Sequence, residues 1–125
     1  MEKLPKINII YEDNHLLVVE KPVNIPVQED ISQDIDMITL LKKYRIKKEN
    51  KKGDAYIGLV HRLDRPVGGI MVFAKTSKAA SRLSEEIRNN TFHKTYLAVI
   101  QGTMPKEGKL EDYLIKDNNK NISYI

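Results

Sequence analysis

The chain has 125 residues, a length that suits one domain with one core and that buries roughly two thirds of the surface exposed by its unfolded form. With 41% hydrophobic and 30% charged residues it is composed like a globular protein, which excludes a disordered or fibrous chain. It has no cysteine, so disulfides, thiolate catalysis and cysteine-held zinc are excluded, and its formal charge of +4 leans toward an anionic partner such as nucleic acid.

In chain order, the opening Met1-Glu2-Lys3-Leu4-Pro5 lacks a signal-peptide core, and no apolar run reaches the ~20 residues of a bilayer span. A cytoplasmic location without membrane contact is expected. Residues 7 to 21 alternate and then saturate with Ile, Leu and Val around the turn-forming Glu12-Asp13-Asn14, which predicts two strands. Pro22 and Pro26 stop pairing, because proline lacks the backbone donor of a sheet ladder, so an irregular segment is predicted to about Gln33. Met37, Leu40, Leu41 and Tyr44 share one helical face, with Ser32, Asp34 or Asp36 available as its cap. The run from Lys47 to Asp54 has no apolar period and reads as a solvated loop. Tyr56 to Leu63 and Ile70 to Ala74 are predicted strands. Thr76 or Ser77 caps a helix with Ala80, Leu83 and Ile87 inside, ended by Asn89-Asn90. His93 to Gln101 is the strongest β run, and Leu110 to Ile125 reads as a hairpin turning near Asp117-Asn118-Asn119-Lys120. This order predicts a single α+β domain over residues 1–125, with a mixed, largely antiparallel sheet and flanking helices.

The most informative stretch is His61-Arg62-Leu63-Asp64-Arg65 followed by Gly68-Gly69. A carboxylate among cations stays ionised and can act as a nucleophile or base. The competing reading is a strand-end aspartate paired with Arg62 or Arg65 to fix a turn. Gly68 and Gly69 allow positive φ and close backbone approach beneath the site, or simply a tight turn. A metal-dependent hydrolase using His61 and Asp64 is disfavoured, because His15, His61 and His93 show no ligand spacing.

The stretch resembles the catalytic signature of the RluA-type RNA pseudouridine synthases. The likeness extends through Ile9-Ile10-Tyr11-Glu12-Asp13 and Leu17-Val18-Val19-Glu20-Lys21-Pro22, and through His93-Lys94-Thr95-Tyr96-Leu97-Ala98-Val99-Ile100-Gln101-Gly102. The resemblance implies a largely antiparallel pseudouridine synthase fold and isomerisation of uridine in ribosomal or transfer RNA. It carries the essential catalytic role onto Asp64. That carboxylate either attacks ribose C1′ or removes a proton from C2′, and the residues leave both routes open. Neither route needs a metal or cofactor, and none is expected. The resemblance assigns Arg62 to the stack vacated by an extruded uridine, and Arg65 to phosphate contact or to bracing the loop. His61 joins the substrate-binding set, more as a hydrogen-bonded brace than as a proton carrier. Tyr96 is implied to stack on the target base from a strand, its hydroxyl taking part in removal of the C5 proton.

Family catalytic domains are longer than this chain. Their C-terminal half supplies further strands, a Gly-Arg-x-His-Gln-type motif and a basic partner for the catalytic aspartate. The expectation is therefore the N-terminal portion of a catalytic domain, incomplete at its C-terminus, with an unpaired sheet edge and strand exchange or oligomerisation as a remedy. The alternative is a noncatalytic RNA-binding fragment of such an enzyme.

Overall fold

A computed structural model describes residues 4–125, so the Met1-Glu2-Lys3 stretch read above for a leader lies outside the described residues. The described chain forms two compact units, the first ending at Lys94 and the second running Thr95–Ile125. The core lies in the first. Its elements are β1 (Asn8–Glu12), β2 (Leu16–Lys21), α1 (Met37–Lys48), β3 (Gly58–Leu59), β4 (Gly69–Ala74) and α2 (Ser77–Arg88). The strands form one antiparallel sheet in the order β1-β2-β4-β3, in accord with the α+β expectation.

The period of two along the strands selects the buried face. Leu17 and Val19 of β2 and Met71 and Phe73 of β4 point the same way, and Met37 and Leu41 of α1 pack with them alongside Val27 and Ile57. The β1–β2 turn is held by Asp13, whose Oδ1 accepts from the backbone N–H groups of His15 and Leu16, both at 2.7 Å. A bulge between Ile9 and Tyr11 shifts the register of β1.

Of the candidate caps for α1, Asp36 takes the role, its Oδ2 accepting from the Thr39 N–H at 3.1 Å. Thr76 caps α2 in the same way through the Ala79 N–H at 3.1 Å, and Asn89 ends it. Ala79 is the buried residue of α2, with Ala80, Leu83 and Ile87 half-buried beside it.

Two strand predictions need correction. Only Gly58–Leu59 of the Tyr56 to Leu63 stretch pairs with β4, because the chain then leaves the ladder and the His61 ring takes the Val72 N–H. The His93 to Gln101 run forms no strand. Its β-rich composition favours a pleated, half-covered surface, and among the described residues no ladder pairs with it.

In the second unit the predicted hairpin forms as β5 (Ile115–Asp117) and β6 (Ile122–Tyr124). Asp117 holds its turn by accepting from the Asn119 and Lys120 N–H groups at 3.0 and 3.2 Å, and Asn121 takes the left-handed φ of 53°.

Candidate active site

The segment between β3 and β4 carries the Asp64 motif, and its backbone is fixed by side chains from elsewhere. The Val67 N–H donates to the Asp64 carbonyl at 2.9 Å, closing a turn over Arg65 and Pro66. Lys21, the last residue of β2, occupies a core-facing position and is 0% exposed. Its Nζ donates to the carbonyls of Pro22, Arg65 and Val67 at 3.0, 2.9 and 2.6 Å. A buried ammonium is tolerated only with its donors satisfied, and these acceptors meet that need. Burial holds the Lys21 ammonium below the usual lysine range, helped by the Arg65 charge and opposed by Asp64. Gly68 lies so close beneath that a Cβ would stand 3.2 Å from the Lys21 carbonyl oxygen, and Gly69 has a φ of +155°. Close approach and unusual φ therefore fall on different glycines of the pair.

Asp64 is exposed and lines a groove of about 310 Å³. One wall is Arg62 to Arg65 and the other is Pro26 to Asp30. That volume sits at the lower end of the ~300–1000 Å³ of small-ligand clefts. Among the described residues the Asp64 carboxylate has no hydrogen-bond donor or ion-pair partner, so the salt-bridged-turn reading fails. Arg62 is exposed and likewise outside the ion pairs of the described residues. Arg65 turns away, donating to Asp34 at 2.5 Å, to Ser32 Oγ at 3.2 Å and to the Asn24 carbonyl at 3.2 Å.

His61 is half-buried, its ring tilted against Phe92 at 5.6 Å between centroids. Its Nε2 accepts from the Val72 N–H at 3.1 Å, which places the proton of the neutral ring on Nδ1. Burial, and then the Lys94 charge, lower its pKa below the usual histidine value. The geometry is that of a brace between the motif and β4. Tyr96 belongs to the second unit, where it is exposed and outside any strand. Among the described residues no three His or carboxylate side chains gather closely enough to hold a metal ion.

Sequence reasoning missed Lys21 and the Gln28–Asp30 wall. A signal existed for the first. Leu17, Val19 and Lys21 share one face of a strand, and a lysine in register with core residues must find carbonyls. The opposing wall comes from an irregular segment, where no periodicity reports which way a side chain faces.

Residues 15–124 match a family model described as RNA pseudouridylate synthase. The ribosomal large subunit pseudouridine synthase C of Buchnera aphidicola subsp. Schizaphis graminum is 32% identical over 91% of this chain and 35% of its own length. The tRNA pseudouridine synthase C of Pectobacterium carotovorum is 29% identical over 96% of this chain and 31% of its own. The solved structure of human RNA Pseudouridylate Synthase Domain Containing 4 is similar at a TM-score of 0.57 and 26% identity, over 67% of this chain and 30% of that one. The chain thus spans about a third of the length of the curated relatives it matches.

Proposed function

Because the chain belongs to the RNA pseudouridylate synthase family, in its RluA branch, we propose that the intact protein isomerises uridine to pseudouridine in ribosomal or transfer RNA, with Asp64 as the catalytic carboxylate. The observation that carries this reading is an exposed aspartate, free of both neighbouring arginines, lining a groove.

The chemistry follows from what a free carboxylate can do beside a ribose. The bond from C1′ to the base nitrogen breaks, the base turns while bound, and it rejoins through C5. One Asp64 oxygen either attacks C1′ as the base leaves with the electrons of the C1′–N1 bond, giving an ester whose carboxylate C5 of the turned base later displaces, or takes the C2′ proton as the base leaves, giving a glycal that is bonded by C5 at C1′ as that proton returns to C2′. Both routes need an ionised carboxylate, an extruded nucleotide and exclusion of bulk water. Arg62 supplies a flat cation at the groove for the vacated stack or the adjoining phosphate. Tyr96 is the proposed stacking partner of the target base and acts on the C5 proton after rejoining. His61 supports the loop through β4.

RNA carrying tritium at uridine C5 tests the reading, because isomerisation releases that label to water. Wild-type intact protein is expected to release it and Asp64→Asn to stop release while leaving RNA binding in place. Equal release by both would remove Asp64 from the mechanism. The span of about a third of the relatives favours a second reading for this 125-residue stretch taken alone, as an RNA-binding segment without turnover. RNA bound by the stretch with no tritium release would select it.

A further inference from the structure

The irregular segment between β2 and α1 meets the Asp64 loop through one side chain. Arg65 Nη2 donates to Asp34, Nη1 to Ser32 Oγ and Nε to the Asn24 carbonyl, and Asp30 stands 3.9 Å from Nη1. Those acceptors are themselves organised. Asp30 accepts from both the backbone N–H and the hydroxyl of Ser32, and the Asp34 N–H donates to Ser32 Oγ at 3.2 Å. Asn24 and Gln33 hold left-handed φ values of 64° and 60°, conformations that persist where surrounding contacts impose them. The carbonyl of Arg65 is meanwhile held by Lys21 at 2.9 Å, so the residue is fixed at both ends.

A guanidinium so engaged has little left to offer a phosphate, and the carboxylates of Asp30 and Asp34 beside it repel one. The segment it grips includes the groove wall that faces Asp64, from Pro26 to Asp30. We propose that Arg65 is a positioning residue: its clamp on Asn24, Ser32 and Asp34 sets the distance between the Gln28–Asp30 wall and the Asp64 loop, and RNA phosphate does not bind to it. The proposal rests on the reading of Asp64 given above for its catalytic consequence, but not for the clamp itself.

The test compares Arg65→Gln, Asp34→Asn and the double variant of the intact protein by amide hydrogen exchange, by RNA binding over a range of salt, and by kcat and KM for tritium release. A clamp predicts faster exchange at Val67 and across residues 24–34 in both single variants. It also predicts a kcat loss of about 10- to 100-fold, the scale of small misplacements of reacting groups, with KM and the salt slope of binding unchanged. The double variant should be no worse than either single one. A phosphate contact predicts something else: Arg65→Gln flattens the salt slope by about 0.7–0.9, whereas Asp34→Asn tightens binding by freeing the arginine. That pattern, or unchanged exchange in both variants, overturns the proposal. Failure of wild type to release tritium would sink the catalytic reading alone, since exchange and salt dependence still decide the clamp.

Discussion

Replacing Lys21 by Met removes the ammonium while keeping an unbranched side chain of similar length in the core. Its Nζ serves the carbonyls of Pro22, Arg65 and Val67, within a site that is 0% exposed at Lys21. An unsatisfied buried acceptor costs roughly 1–3 kcal/mol, and because these hydrogen bonds are part-buried and Val67 is exposed, the acceptors together set a loss near the lower end of that scale, about 3–5 kcal/mol. Against this stands the relief of no longer desolvating an ammonium, several kcal/mol in a protein interior. The net expectation is a destabilisation of about 1–2 kcal/mol. Urea denaturation of the intact protein measures the total, and amide exchange at Val67 locates it, because that N–H closes the turn onto the Asp64 carbonyl. Exchange there should quicken even under conditions where the fold persists. A Lys21→Met protein with wild-type midpoint and wild-type exchange at Val67 would refute the reasoning, since it would mean that the carbonyls find water or other donors without cost.

The remaining expectations concern the sheet and the loop. Burial pushes the Glu12 carboxyl up, but hydrogen bonds from Lys48, Lys75 and Tyr44 outweigh it and hold the pKa at about 2. The folded value is depressed, so the contribution is complete above the unfolded value of 4.5 and is lost as pH falls through about 2. At ~1.4 kcal/mol per pH unit it amounts to about 3 kcal/mol, and Glu12→Gln should flatten the acid limb of stability over that window. An acid limb that matches wild type would refute this assignment. Gly68→Val puts a Cβ 3.1 Å from Val23 Cγ1 and 3.2 Å from the Lys21 carbonyl oxygen. Thermal unfolding should show a loss of about 1–3 kcal/mol from that crowding. His61→Phe keeps the ring against Phe92 and orphans the Val72 N–H, with a loss of about 1–3 kcal/mol in urea. The His61 pKa is depressed on folding, so its support is present above roughly pH 6.5 and falls away as the ring is protonated. Nitrogen NMR of the intact protein should find the proton on Nδ1.

Local pattern carried the reading furthest where the structure is local. The alternation through Leu17 and Val19 marked β2 and its buried face, and the spacing of Met37, Leu40, Leu41 and Tyr44 marked α1. Asp36 emerged as its cap because capping is a contact three residues long. The predicted His93 to Gln101 strand shows the limit. Sequence reports a suitability for pleating, whereas a strand exists only when another backbone supplies the ladder. The partners of Lys21 lie up to 46 residues away, and Arg65 reaches back 31 residues to Asp34, so neither pairing leaves a local trace. Asp64 was legible as a candidate from its cationic neighbours, yet its freedom from them was not, because adjacency in sequence does not say which way an arginine turns.

The placement of Asp64 follows from how the chain leaves the sheet. After Leu59 the backbone parts from β4, which deprives the Val72 N–H of a ladder acceptor, and the carbonyls of Arg65 and Val67 fall in a turn outside the ladder, where no strand donor faces them. His61 replaces the missing acceptor and Lys21 the missing donors, so side chains complete a hydrogen-bonding pattern that the backbone abandons. Arg65 then ties the loop to the segment that carries the opposite wall of the groove. With Lys21, His61 and Arg65 committed to structure, Asp64 needs no partner of its own to stay in place, and its carboxylate remains open to the groove. A carboxylate that fixed its own turn would have to break that contact before it could reach a sugar. Here Lys21, His61 and Arg65 make the contacts that hold the loop, and among the described residues the residue 64 carboxylate carries none of them.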